Sequence, residues 1–158
     1  MPINALPVLD DIDRRILTIL QTDASQTNAQ LAAQVHVSPP TCLRRVKTMT
    51  DSGVIQRQVA IVAPDKVGAS LSAIVEITLD VQAAERMAEF EKLADTEAAV
   101  LQCYRVSPGP DFVLIVQVAD MPAYHALAHS LFTAHANVRN VKSYFSTFRS
   151  KFETRIAV

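Results

Sequence analysis

The sequence predicts an α+β protein: an N-terminal winged helix-turn-helix plus a C-terminal ferredoxin-like βαββαβ domain. Three observations predict it. Residues 27–55 hold two capped helices, a tight turn between them and a glycine stop after the second. Near Pro64 the apolar period changes from that of a helix to that of a strand. From residue 71 onward, strand-type and helix-type segments follow in the order β, α, β, β, α, β.

The first helix is predicted over residues 9–23, with Asp10 or Asp11 as N-cap and Ile12, Ile16, Leu17, Ile19 and Leu20 as its apolar stripe. Thr27-Asn28-Ala29-Gln30 is a capping box, in which the Thr27 hydroxyl accepts from the Gln30 N–H while the Gln30 side chain reaches back. Leu31, Ala32 and Val35 give that second helix its core side, and His36-Val37 makes the turn. Ser38 caps the third helix and Pro39 takes its first position, where a missing N–H costs nothing. Gly53 ends it. At helical period Cys42, Leu43, Val46, Met49 and Thr50 share the core side. Thr41, Arg44, Lys47 and Thr48 lie opposite, with Arg45 at the flank. Hydroxyls and cations turned away from a core suit phosphates and base edges. Taken alone, such a face is more often simply solvated; joined to the capped helix before it, DNA binding is the better reading.

Residues 54–61 alternate and read as the strand of a short wing, from which Arg57 can reach a phosphate. Pro64, Asp65 and Gly68 mark a linker, so the expected division is 1–62 for the DNA-binding domain, 63–70 for the linker and 71–158 for the second domain. There Leu71, Ala73, Val75, Ile77 and Leu79 alternate as a half-buried strand. A helix over 83–94 turns Met87, Phe90 and Leu93 or Ala94 inward. Strands are predicted at 100–106 and 112–118, a helix at 121–135 with Tyr124, Leu127, Ala128 and Leu131 inward, and a long last strand within 138–152. In the third strand Val113 and Ile115 make the second face apolar too, and Tyr144, Phe148 and Phe152 put aromatics on one face of the last strand. That pattern predicts sheet-to-sheet pairing of two copies through the face without helices.

Composition bounds the remainder. The chain has 158 residues, net charge −1 and 49% apolar residues, so positive charge must be gathered on one face rather than spread through the chain. Cys42 and Cys103 have neither paired nor metal-type spacing, which suits a reducing cytoplasm. No apolar run approaches a membrane span and residues 1–9 lack signal-peptide character, so no membrane partner is expected. His125 and His129 sit four apart on a helix, a spacing that can present two imidazoles to one metal, but no third ligand follows. No nucleophile–base pair, phosphate loop or H-E-x-x-H motif is present. Neither a metal, a cofactor nor an enzyme is expected.

The residues Leu9-Asp10-x-x-Asp13-x-x-Ile16-Leu17-x-x-Leu20-Gln21, Leu31-Ala32, Ser38-Pro39-x-x-Cys42-Leu43-x-Arg45-Val46-Lys47, Gly53-Val54-Ile55, Cys103-Tyr104 and Asp111-Phe112 carry a resemblance to the Lrp/AsnC (feast/famine) transcriptional regulators. It spans residues 9 to about 151. It implies a sequence-specific DNA-binding regulator in the cytoplasm whose dimers assemble further, commonly to octamers. It also implies a small amino acid as effector, bound between the second domains. By position, the DNA contacts implied are Ser38, Thr41, Arg44, Arg45, Lys47, Thr48 and Arg57. The effector positions implied are Arg105, Val106, Ser107, Gly109, Asp111, Met121, Ser143 and Tyr144. Where the family loop typically reads Gly-Asp-aromatic-Asp, this chain reads Pro108-Gly109-Pro110-Asp111. The last carboxylate is kept, and Asp111 is expected to pair with the α-ammonium of the ligand. Two N–H donors are lost to proline. Two alternatives stand beside the regulator: an amino-acid-binding protein without a DNA role, and a metabolic enzyme with a vestigial helix-turn-helix.

Overall fold

The computed structural model describes residues 7–158. They form two compact units, one running through Ile61 and taking in Lys151–Val158, the other Val62–Ser150. The last eight residues thus group with the first unit, whereas the sequence division assigns them to the second domain.

In the first unit, α1 is Asp11–Thr22, α2 Asn28–Gln34 and α3 Pro39–Asp51. Each begins on a side-chain cap. Asp10 and Asp13 form a reciprocal capping box at α1, and Thr27 and Gln30 form another at α2. Ser38 accepts from the Thr41 N–H at α3, whose first turn holds proline. Between α2 and α3, His36 adopts the left-handed φ of 57°, and the Asn28 side-chain amide donates to the Pro39 carbonyl at 2.8 Å across the turn. Gly53, at φ 77°, ends α3. The core is Ile16, Leu17, Leu31, Ala32, Val35, Cys42 and Met49, with Val46, Val54 and Ile55 packed on it. Leu43 and Thr50 depart from the expected core side: both are exposed, Leu43 at 59%. Cys42, Val46 and Met49 already fill the contact line at four- and three-residue spacing, and Leu43 lies about 100° round the helix from Cys42.

Residues 54–61, expected as a strand, form none; residues 56–63 run exposed and belong to no sheet among the described residues. Alternation marks a capacity for ladder bonds, and a ladder needs a partner.

The second unit begins at a short 3₁₀ turn, Pro64–Lys66. It continues as β1 (Leu71–Leu79), α4 (Ala84–Thr96), β2 (Val100–Arg105), β3 (Phe112–Val118), α5 (Met121–Ala128) and β4 (Val138–Phe145). A π-helical turn, His129–Thr133, extends α5. All strand pairs are antiparallel, in the order β2-β3-β1-β4, the ferredoxin-like arrangement. Ala73, Val75, Ile77 and Leu79 of β1 and Phe112, Leu114, Val116 and Val118 of β3 pack under Met87, Phe90, Ala94, Tyr124, Leu127, Leu131 and Phe132. The last strand stops at Phe145, so Phe148 and Phe152 do not continue its aromatic face. Its length follows β1, whose first paired residue there is Ala73. On the open face Val113 and Ile115 are half-buried, and Ile74 and Tyr144, paired across β1 and β4, are each about half exposed.

Candidate nucleic-acid interface and ligand loop

Helix α3 turns Arg44, Lys47 and Thr48 to solvent, with Thr41 half-buried beside them. The Ser38 and Thr41 hydroxyls share a hydrogen bond of 2.8 Å, and the Thr48 hydroxyl donates to the Arg44 carbonyl at 2.9 Å. Among the described residues the side chains of Arg44, Lys47 and Arg57 take part in no hydrogen bond or ion pair. The first two therefore stand as free cations on the helix face, and Arg57 as one on the extended segment after it.

Arg45 is held differently from its neighbours on this helix. It belonged to the expected contact set, but its Nη1 lies 2.7 Å from Asp10 Oδ2 and 2.8 Å from Asp13 Oδ1, and its side chain is only 21% exposed. Both carboxylates divide their oxygens. Asp10 Oδ1 accepts the Ile12 and Asp13 N–H groups, and Asp13 Oδ2 accepts the Asp10 N–H, so the capping box and the ion pairs share two side chains. Arg45 Nε is buried with no partner. The guanidinium is thus committed to bracing α3 against the start of α1, and is not displayed outward. Bound to two carboxylates, it is largely neutralised as a phosphate ligand.

The Asp13 amide first, then the Arg45 guanidinium, holds the Asp10 carboxyl below the usual aspartate range. A carboxyl whose folded pKa is depressed stabilises the fold above its unfolded value and loses that contribution as pH falls through the folded one. Thermal melts of the DNA-binding unit should therefore decline as pH falls below about 4, and Asp10→Asn should flatten that decline. Because Asp10 is half exposed, the effect is modest.

The loop from β2 to β3 contains a cis Ser107–Pro108 peptide and Gly109 at φ 124°. Asp111, the expected ligand carboxylate, already has a structural partner for one of its oxygens. It is 8% exposed, and its Oδ2 accepts the buried Leu79 N–H at 2.7 Å. Its own N–H donates to Ile77 O at 2.8 Å, and its carbonyl accepts from Val106 N–H at 3.1 Å. Asp111 therefore closes the end of the central strand β1. Arg105 pairs with Glu91 through Nη2 at 2.8 Å and lies 6.0 Å from the Phe112 ring centroid. Ser143 faces the helices, where its hydroxyl bonds that of Tyr124, while Tyr144, next in β4, lies on the open face.

The effector positions consequently do not converge within one copy. Asp111, Val106, Ser107 and Gly109 cluster before β3, whereas Met121 follows it; seven residues of strand set them roughly 20 Å apart. Burial pushes the Cys42 thiol up, and burial and then Glu91 push up Cys103, so neither is a ready thiolate. No group of three or more His, Cys, Asp or Glu is placed to hold a metal among the described residues. No helix among them is long and apolar enough to cross a membrane.

A helix-turn-helix with free cations on its second helix, joined to a ferredoxin-like domain, defines a DNA-binding regulator class. Residues 9–56 match the family described as winged helix-turn-helix DNA-binding, and residues 72–156 match the Lrp/AsnC ligand binding domain. An uncharacterized HTH-type transcriptional regulator of Haemophilus influenzae is 39% identical over 140 residues, 89% of this chain and 83% of its own. The leucine-responsive regulatory protein of Escherichia coli K12 is 33% identical over 150 residues, 95% of this chain and 92% of its own. Among solved structures, a transcriptional regulator from Neisseria meningitidis in complex with L-Met superposes with a TM-score of 0.88 at 28% identity, covering 94% of this chain and 96% of that one. An AsnC family regulator from Agrobacterium tumefaciens gives 0.88 at 33% identity and the same coverage. The chain belongs to the Lrp/AsnC family. It is a DNA-binding transcriptional regulator with a ligand-binding domain, and its relatives are regulators rather than enzymes.

Proposed function

We propose that this regulator contacts duplex DNA through Ser38, Thr41, Arg44, Lys47 and Thr48, with Arg57 on a flanking phosphate, and that a small amino acid controls its assembly or its grip on DNA. The observation that carries the DNA contacts is the pairing state of the cations. Arg44 and Lys47 have no acidic partner among the described residues, while Arg45 on the same helix is consumed by Asp10 and Asp13. Two copies related by a two-fold axis present two such helices, and the operator is then an imperfect palindrome with half-sites spaced by helical turns. Replacing Arg44 or Lys47 with alanine should weaken operator binding and lower the slope of log affinity against log salt by about 0.9 each. Titrations of a labelled operator at several salt concentrations read this directly, and an unaltered slope in both variants refutes the assigned face.

The amino acid reading is supported by the ligand-binding family match and by the Neisseria regulator's complex with L-Met. With the loop residues and Met121 at opposite ends of β3, a pocket using both takes them from different copies. The half-exposed Ile74–Tyr144 face supplies apolar area for pairing of two sheets, and further association, as far as octamers, would bring different copies' loops together. An effector that binds some assembly states better than others shifts their balance; equal binding to all shifts nothing. Thermal-shift screening against the common amino acids identifies it, since a ligand of the folded state raises the midpoint.

A further inference from the structure

Gln21 is one of the residues that carry the family resemblance, yet it is the penultimate residue of α1 and is not among the proposed DNA contacts. The structure gives it a partner. Its side-chain Nε2 donates to the Ile156 carbonyl at 3.1 Å, and its Oε1 accepts from the Ile156 N–H at 2.9 Å. One amide thus takes both main-chain groups of a single residue, as the neighbouring strand of a β-ladder does. The Ile156 side chain is 69% exposed, so apolar burial of that residue is not what holds the segment. Lys151–Val158 groups with the helices of the DNA-binding unit, so the chain leaves that unit after Ile61 and returns to it at Lys151.

We propose that Lys151–Val158 is a second attachment of the DNA-binding unit, fastened at Gln21, and that Gln21 is a positioning residue for binding to paired half-sites. This rests on the regulator reading above. A helix-turn-helix tied to its regulator by one extended segment samples a wide volume once its twin has engaged DNA, and its effective concentration at the second half-site is low. A second tether shrinks that volume. The gain falls only on duplexes with two half-sites; one half-site engages one helix-turn-helix and gains nothing.

Gln21→Ala in the full-length protein tests this, because alanine keeps α1 helical and removes both bonds. In the unaltered protein the Ile156 amide should exchange with solvent more slowly than that of Ala157, and in Gln21→Ala the two should exchange alike. Duplexes selected from a random pool by the unaltered protein supply a two-half-site operator and, by scrambling one arm, a single half-site. Gln21→Ala should weaken binding to the former by about three- to tenfold and leave the latter unchanged. Unaltered Ile156 exchange in the variant overturns the proposal. So does equal weakening on both duplexes, the mark of a merely structural residue, and so does no weakening on either. If the unaltered protein selects no duplex, the regulator reading itself has failed; amide exchange, which needs no DNA, still tells that failure from loss of the attachment.

Discussion

Replacing Arg45 with alanine should lower the melting midpoint of the DNA-binding unit by about 4–8 °C and weaken operator binding, while the salt slope stays where it was. The residue has two carboxylates in reach, at 2.7 and 2.8 Å, and its removal leaves both facing each other across the first turn of α1 with no cation between them. The capping box then holds two uncompensated charges, although their place at a helix N-terminus tempers the cost. Loosening the start of α1 frees the orientation of α3, and affinity falls through geometry. No phosphate contact is deleted, so no counterion release is lost. That is the opposite signature from Arg44→Ala or Lys47→Ala. Arg45→Lys should recover part of the stability, since one ammonium replaces the charge without the planar fork. Circular dichroism melts and operator titrations at three salt concentrations suffice to check it. A drop in salt slope matching that of Lys47→Ala would show that Arg45 meets DNA after all.

Asp111→Ala should cost the ligand-binding domain about 1–3 kcal/mol, the penalty for a buried N–H left without an acceptor. The acceptor lost is the Oδ2 that takes the Leu79 N–H where the sheet's central strand ends. Asp111→Asn keeps an acceptor oxygen and should recover most of that loss, so denaturant melts of the pair separate the hydrogen bond from the charge. The same pair reads the ligand loop. If an amino acid that raises the melting midpoint of the unaltered protein raises that of Asp111→Asn equally, the carboxylate's charge takes no part in recognition. Should the shift vanish in Asp111→Asn with stability intact, the charge does meet the ligand's ammonium, and the structural role is an addition to it.

Much of this molecule is legible in its sequence wherever the deciding interaction is local. Thr27–Gln30 and Ser38–Pro39 lie within three residues of what they cap, and the structure places both as read. Strands β1 and β3 likewise follow their apolar periods, whereas β2 is exposed at five of its six residues. What the sequence does not show gathers where a partner lies far along the chain. Arg45 looks like an outward cation until Asp10, thirty-five residues earlier, is folded beside it. Asp111 looks like a ligand carboxylate until Leu79, thirty-two residues earlier, offers it an N–H. The end of β4 is set by the reach of β1, and the attachment at Gln21 spans 135 residues. Asp13 is the instructive near miss: an aspartate three residues after an aspartate N-cap carries the signature of a reciprocal box, and reading it would have shown which of Asp10 and Asp11 caps the helix.

Residues 56–63 carry Val59, Ile61 and Val62 at 64%, 63% and 58% exposure beside amide and carbonyl groups that no strand satisfies. Such a ribbon is a template for adhesion, able to recruit any extended chain that meets it. Were a second copy to cover that ribbon, solubility would be tied to quaternary structure. In that case a substitution that splits such an assembly should bring turbidity and precipitate before it brings unfolding.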